Sequence, residues 1–239
     1  MRPDASGRFG GRLVFCASSA PYRGVIVTFS DSQGKHWNAS SSLFLPGLDE
    51  CQIAQAANGS LMLIDRNCNW QHCRGMAPQS LPPGNPHRLV VSASDTGGET
   101  WSTPAYQPQL VTPTCQMGII SYRGPRDKHP ALYFSGPHHE TERVNGTILA
   151  SDTSGATFSR SLTLGADDDG SMSFGYSSLA CGLVNAADES DCAVVYRVAE
   201  DGRFGCVPAN CGHALAPTQP CLLNRTGIRL KRFKSWHVV

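Results

Sequence analysis

The feature that most constrains this chain is an octapeptide that occurs three times in similar form. The copies read SDSQGKHW, SDTGGETW and SDTSGATF, and they begin at residues 30, 94 and 151. Each has Ser-Asp followed by Ser or Thr, then a Gly four residues after the first Ser and an aromatic residue seven after it. Such a segment predicts a tight turn between two strands, in which the hydroxyls and an acid such as Asp95 bond the turn backbone and the aromatic residue packs below.

Short apolar or alternating runs precede each octapeptide, and similar runs lie between them. Gly (24) and Pro (16) are abundant and no long amphipathic period occurs, so short strands joined by turns are predicted. A unit of roughly 60 residues with four strands and one repeated turn is typical of a β-propeller blade. A Gly-rich β-sandwich is the alternative. The candidate strands span residues 11–17, 24–29, 59–65, 88–93, 117–122, 130–136, 146–150 and 191–198.

Composition narrows the function classes. The chain has 239 residues and a formal net charge of +1, which argues against a nucleic-acid partner. It contains no run of 18 apolar residues, so no transmembrane segment is predicted. Ten cysteines and four glycosylation sequons, at Asn38, Asn58, Asn145 and Asn224, indicate a lumenal or secreted protein. The first residues, MRPDASGRFGG, do not resemble a signal peptide, so the sequence does not determine the cellular compartment.

The octapeptides resemble the Asp-box, SxDxGxxW, of sialidases (exo-α-neuraminidases) and related propellers. The acid lies one place early, so that Ser32, Thr96 and Thr153 stand where the box usually has Asp. The resemblance implies a sialidase-like β-propeller, six-bladed in the family, of which about four blades lie in residues 1–202. It also implies that the boxes at 30–37, 94–101 and 151–158 are structural.

Four residues match the sialidase site in order. The segment LDECQIAQAANGSLMLIDR (48–66) resembles the family stretch that places Glu50 and Arg66. The segment before the third octapeptide is similar to one that places Arg143, and GYSSL (175–179) resembles the nucleophile motif with Tyr176. The resemblance implies that both arginines bind the substrate, that Tyr176 is the nucleophile, and that Glu50 is its base.

Chemistry explains why these residue types belong together. Sialic acid carries a carboxylate on its anomeric carbon, and Arg binds two carboxylate oxygens at once. A carboxylate nucleophile would be repelled by that substrate, and a Tyr phenol would not. A phenol with a pKa of about 10 needs a nearby base, which Glu50 supplies, and flanking Arg charges favour the phenolate. Taken singly, each Arg is an ordinary surface charge, Tyr176 a half-buried strand aromatic and Glu50 a loop acid.

The resemblance has limits. The family's first Arg segment and its acid/base Asp have no counterpart here, and Arg2 and Asp4 lack the required context. Little turnover is therefore expected from residues 1–239 alone. The predicted reaction is the release of terminal α-linked sialic acid from glycoconjugates with retention, without metal or organic cofactor. The alternatives are a non-catalytic propeller that binds sialic acid or another glycan, and a scaffold in which the four residues do not meet.

Residues 203–239 show no blade-like pattern and are predicted to form an atypical, disordered tail. Their Cys206, Cys211, His213 and Cys221 match no standard zinc finger. Elsewhere CNWQHC (68–73) indicates a disulfide loop or buried thiols. DDDGS (167–171) is half a calcium loop, and HHE (138–140) lacks the HExxH spacing of a metalloenzyme.

Overall fold

Antiparallel strands account for the regular structure. The computed structural model describes residues 9–19, 24–41, 48–67, 87–165, 172–182, 190–199 and 226–238. There the chain forms fourteen strands and one 3₁₀ turn, Ser235–His237, which confirms the predicted all-β class. The strands are β1 Leu13–Ser19, β2 Gly24–Ser30, β3 Asn38–Ala39, β4 Leu48–Gln55, β5 Leu61–Asn67, β6 Arg88–Ser94, β7 Ala105–Val111, β8 Gly118–Tyr122, β9 Ala131–Pro137, β10 Gly146–Ser151, β11 Arg160–Thr163, β12 Ser177–Cys181, β13 Cys192–Ala199 and β14 Thr226–Phe233.

The described strands form four up-and-down sheets in chain order. The first sheet contains β1–β3, the second β4–β7, the third β8–β11 and the fourth β12–β14. β1 lies beside β4, β4 beside β8, and β8 beside β12, so the sheets follow one another around a common centre. Four successive antiparallel sheets fit a partial β-propeller of the predicted sialidase-like kind.

The core lies between neighbouring sheets because successive strand residues point to opposite sides. On β5, Leu61 and Leu63 pack against the first sheet, whereas Met62 and Ile64 pack against the third. A third cluster joins β9 and β10 to β12, β13 and the end of β14. A strand buried on both sides reads as a continuous apolar run, and LMLI in β5 is such a run.

The three octapeptides form the same turn. The Oγ of the first Ser, at positions 30, 94 and 151, accepts a hydrogen bond at 2.9 Å from the backbone N–H of the Gly four residues on. The hydroxyl two residues after that Ser accepts another from the backbone at 2.8 Å. These bonds confirm the predicted role of the hydroxyls.

The acid of the octapeptide has a different role from the one predicted. Asp31 forms an ion pair with Arg12, and Asp152 with Arg160, instead of bonding the turn. Within the described part of the chain Asp95 makes no hydrogen bond to the turn, so the prediction for Asp95 is wrong. The hydroxyls satisfy the turn backbone, which leaves the carboxylates for neighbouring arginines.

Two disulfides are described, and each connects strands. Cys16–Cys51 joins β1 to β4, and Cys181–Cys192 joins a directly paired position of β12 and β13. Cys115 is a free, buried thiol. The CNWQHC and DDDGS segments and the four tail residues Cys206, Cys211, His213 and Cys221 lie outside the described residues.

The propeller-like structure extends beyond the boundary predicted at residue 202. Residues 226–233 form β14, which pairs with β13 along its whole length, from Ala199↔Thr226 to Cys192↔Phe233. In β14 basic residues alternate with apolar ones. The sequence therefore lacks the continuous apolar run that would have indicated a strand there. No helix in the described portion is long and apolar enough to cross a membrane.

Two glycines test whether the octapeptide turn is packed as tightly as the structure indicates. Gly59 and Gly155 both have positive φ, at 87° and 89°. A Cβ at Gly59 meets nothing within 4 Å, whereas one at Gly155 overlaps the sulfur of Met62 in the second sheet. We expect Gly59→Ala to cost about 1–2 kcal/mol from backbone strain. Gly155→Ala should cost a further ~1–3 kcal/mol from overpacking.

Urea unfolding of the two variants measures this difference. Equal losses of unfolding free energy would contradict close packing between the third turn and the second sheet.

Candidate active site

The four predicted site residues lie at one end of the second, third and fourth sheets. Glu50 is on β4, and Arg66 is the penultimate residue of β5. Arg143 lies in the β9–β10 connection, and Tyr176 directly precedes β12. The structure brings all four together, although they are spread over 127 sequence positions from Glu50 to Tyr176, a separation that short-range propensity cannot bridge.

Arg66 is the centre of the cluster. Its Nη1 donates to the Glu50 carboxylate and, at 2.9 Å, to the Tyr176 hydroxyl oxygen. The Asp49 carboxylate lies 3.5 Å from the same nitrogen. Burial disfavours the charge on Arg66, but the two carboxylates outweigh this effect and raise its pKa above the ordinary value. Arg66 is therefore a permanent, largely buried cation.

A bulge in β4 lets two consecutive acids reach this one guanidinium. Leu48 pairs with Asn67 and Cys51 with Asp65, so β4 has one residue more than β5 over this stretch. In a regular strand Asp49 and Glu50 would point to opposite sides of the sheet. A bulge changes the direction of side chains locally, and both carboxylates here face Arg66.

The second arginine lies over the phenol ring. The guanidinium carbon of Arg143 is 5.3 Å from the centre of the Tyr176 ring, and that of Arg66 is 6.0 Å away. Both distances fall in the range of cation–π contacts. Arg143 also donates from Nη2 to the carbonyl of Thr114 at 3.2 Å, which holds its side chain near the ring.

Tyr176 is a neutral phenol at neutral pH. Burial raises its pKa above the usual value, and a hydrogen bond to Glu50 and the Glu50 charge raise it further. The charges of Arg66 and Arg143 act in the opposite direction, as expected, but they do not outweigh the other causes. Loss of the phenol proton therefore requires an acceptor, and the nearby carboxylate is that of Glu50, which shares Nη1 of Arg66 with the phenol oxygen.

A buried segment that the sequence reasoning missed supports two of these side chains. Thr114, whose carbonyl binds Arg143, has φ +59°, which is unusual for a β-branched residue and costs of the order of 1–3 kcal/mol. Gln116 accepts a hydrogen bond through Oε1 from the backbone N–H of Ser177 at 2.9 Å, next to Tyr176. Between them lies Cys115, whose pKa burial raises to about 11. No feature of the sequence TPTCQM indicates a supporting role for these residues. The role follows from their contacts with Arg143 and with the backbone next to Tyr176.

The start of β12 is also fixed from the third sheet. Ser177 donates through Oγ to the carbonyl of Ser135 at 3.0 Å. Gly118 leaves room for this contact, because a Cβ there would lie 2.8 Å from the Ser135 hydroxyl oxygen. Tyr176 is thus held by the bonds of Ser177, which follows it, and by its own carbonyl, which accepts a hydrogen bond from the backbone N–H of Arg197 at 2.9 Å. Among the described residues no group of three His, Cys, Asp or Glu side chains could hold a metal ion.

The sequence of this chain is similar to that of one characterised protein. No family model matches the sequence. The chain is 28% identical over 159 residues to the anhydrosialidase of Macrobdella decora, a match that covers 62% of this chain and 18% of the relative.

Solved structures match more of the chain. It superposes over its whole length on 43% of the intramolecular trans-sialidase from Ruminococcus gnavus, with a TM-score of 0.68 and 20% identity. It also resembles a leech intramolecular trans-sialidase, with a TM-score of 0.60 and 24% identity over 82% of this chain and 27% of that one. The chain therefore spans less than half the length of these relatives.

The fold is that of a partial β-propeller of the sialidase type. The sequence similarity to the anhydrosialidase supports a relationship to sialidases, and the solved structures show the shared fold.

The pKa of Tyr176 offers a test of the cluster that does not depend on turnover. Glu50→Gln removes a negative charge beside the phenol while Arg66 and Arg143 remain, so the pKa of Tyr176 should fall. Phenolate absorbance measured against pH, as the difference from Tyr176→Phe, reports this value. Glu99→Gln is the matched control, because Glu99 pairs with Arg12 at 2.9 Å in another part of the molecule. An unchanged Tyr176 pKa in Glu50→Gln would contradict the described contact.

Proposed function

We propose that this protein is a glycosidase that acts on terminal α-linked sialic acid through a tyrosine nucleophile. The observation that carries the proposal is the direct connection of Glu50, Arg66 and Tyr176, with Arg143 over the same ring. A phenol beside a carboxylate and flanked by two cations is the arrangement that attack on an anionic sugar requires. The relationship to sialidases supports the same reading.

Arg66 and Arg143 are proposed to bind the sugar carboxylate. Both guanidinium groups lie within 6.0 Å of the centre of the Tyr176 ring, so an anion bound between them would bring its anomeric carbon near the phenol. Charge-assisted hydrogen bonds of this kind contribute more than neutral ones. Sialylated glycans or glycoconjugates are the corresponding partners. Proteins of similar fold were solved with oseltamivir carboxylate and with the inhibitor DANA.

The proposed chemistry proceeds in two displacements. The Tyr176 oxygen attacks the anomeric carbon while its proton passes to Glu50, and the bond to the leaving glycosidic oxygen breaks as that oxygen takes up a proton from solvent water. The product is a tyrosyl glycoside. In the second step a hydroxyl group attacks the same carbon and releases its proton to solvent water, while the bond to Tyr176 breaks and the phenol recovers its proton from Glu50. Two inversions give net retention.

The attacking hydroxyl of the second step determines the product. Water yields free sialic acid, as in a hydrolase. A hydroxyl of the bound sugar yields an anhydro sugar, and this second possibility is favoured by the names of the matched proteins, an anhydrosialidase and two intramolecular trans-sialidases. The four described side chains serve both routes equally.

Turnover of a fluorogenic sialoside tests the tyrosine. We expect slow release from the chain and a further loss of about 10²-fold or more in Tyr176→Phe, because the nucleophile is removed. Tyr106→Phe, which alters a tyrosine on β7, is the matched control and should retain the starting rate. Chromatography of the released sugar separates free sialic acid from 2,7-anhydro-Neu5Ac. Equal rates in Tyr176→Phe and the parent chain would exclude Tyr176 as nucleophile.

Binding of DANA tests the arginines and the non-catalytic alternative together. Arg143→Ala should weaken binding by roughly 10- to 100-fold, the value of one charged hydrogen-bond pair. Arg123→Ala, on an exposed arginine after β8, should not change it. Saturable binding that depends on Arg143 without any sugar release would identify a sialic-acid-binding propeller. Absence of binding to the parent chain would contradict the site itself.

A further inference from the structure

Asp49 is a buried carboxylate that the proposed reaction does not use. Because of the bulge in β4, it lies 3.5 Å from Nη1 of Arg66. The same nitrogen donates to Glu50 and to the Tyr176 hydroxyl oxygen. One guanidinium needs one carboxylate for neutrality, so the second carboxylate leaves an excess of negative charge in a site proposed to bind an anion.

The charge of this group of side chains depends on whether both acids are ionised. With Asp49 and Glu50 both negative, the single positive charge of Arg66 does not balance them, and a substrate carboxylate is repelled. With one acid protonated, the remaining carboxylate and Arg66 cancel. Arg143 adds one positive charge in either case. An anion therefore binds more tightly when the two acids share one proton.

Asp49 is the acid better placed to take up that proton. Its side chain is 7% exposed and lies 3.5 Å from the guanidinium, whereas that of Glu50 is 28% exposed and lies closer to the same nitrogen. Water and the guanidinium therefore stabilise the charge of Glu50 better than that of Asp49. Burial raises the pKa of Asp49, the Glu50 charge raises it further, and Arg66 acts in the opposite direction without cancelling them.

The other titratable groups described around this cluster keep their charge state between about pH 5 and 8. Burial raises the pKa of the Tyr176 phenol, and it raises that of the Cys115 thiol to about 11, so both groups are neutral. Arg143 and Arg197, whose charges both act on Cys115, stay positive because a guanidinium does not deprotonate in proteins. Within this cluster, proton uptake in that range therefore falls to the two carboxylates.

We propose that Asp49 is a positioning residue that acts through Arg66, and that it takes up a proton from solvent when an anionic sugar binds there. Since it requires Arg66 to bind the sugar carboxylate, this proposal rests on the proposed function. The bound anion adds a negative charge next to Asp49, which favours its neutral form, while Glu50 stays ionised and can accept the phenol proton. By linkage, a site that gains a proton on binding binds more tightly as the pH falls.

Binding of DANA as a function of pH tests the role of Asp49 without any turnover. We expect the parent chain to bind DANA roughly 5- to 150-fold more tightly at about pH 5 than at about pH 8. Asp49→Asn keeps the shape of the side chain but cannot ionise, so it should bind equally at both pH values and about as tightly as the parent chain at the lower one. Calorimetry in two buffers of different ionisation enthalpy should show proton uptake by the parent chain and none by Asp49→Asn.

Asp31→Asn is the matched control, because Asp31 pairs with Arg12 at 2.7 Å in the first sheet, and it should keep the pH dependence of the parent chain. DANA binding by the parent chain without pH dependence or proton uptake would overturn the role of Asp49 and leave the proposed function intact. Unchanged pH dependence in Asp49→Asn would do the same, since the proton would then go to another group. Binding with proton uptake but without sugar release would support the role of Asp49 and contradict the glycosidase. Absence of binding to the parent chain would contradict both.

Discussion

The buried charge of Arg66 is the interaction on which the site depends. A guanidinium removed from water needs negative partners, and Asp49 and Glu50 supply them from the adjacent strand. The same nitrogen reaches the Tyr176 hydroxyl, so one cation links β4, β5 and the residue before β12. The cluster is thus held by its own electrostatics, and the carboxylate that neutralises Arg66 is also the one beside the phenol.

The sheets hold this cluster in place, and the same turn and the same packing contact recur from one sheet to the next. A Ser hydroxyl closes each octapeptide turn onto the Gly backbone, and the aromatic residues Trp101 and Phe158 pack on the sheet before their own. Where a sheet is covered on both sides, the middle of a central strand such as β5 is a continuous apolar run. Polar side chains such as Arg66 are therefore placed near strand ends, where several sheets meet.

Much of the fold and of the candidate site could be predicted from the sequence, because strands, turns and site residues all belong to periodic patterns or recognisable motifs. The octapeptides and apolar runs predicted strands and turns, and the order of Glu50, Arg66, Arg143 and Tyr176 predicted a shared location. The β4 bulge, the strained Thr114 and the Gln116 contact could not be predicted, since each depends on which strand lies opposite. β14 was missed because it lacks a continuous apolar run such as LMLI in β5; its few apolar residues are separated by basic ones.

The Cys16–Cys51 disulfide has a consequence that extends beyond stability. Cys51 is the first regularly paired residue after the bulge and the direct neighbour of Glu50, while Cys16 belongs to a sheet that contributes none of the four site residues. The covalent bond therefore holds the least regular part of β4 from outside the cluster. Under reducing conditions the same polypeptide would keep its hydrogen-bonded ladder and lose this anchor, so the alignment of Glu50, the proposed proton acceptor, is linked to the thiol chemistry of its surroundings.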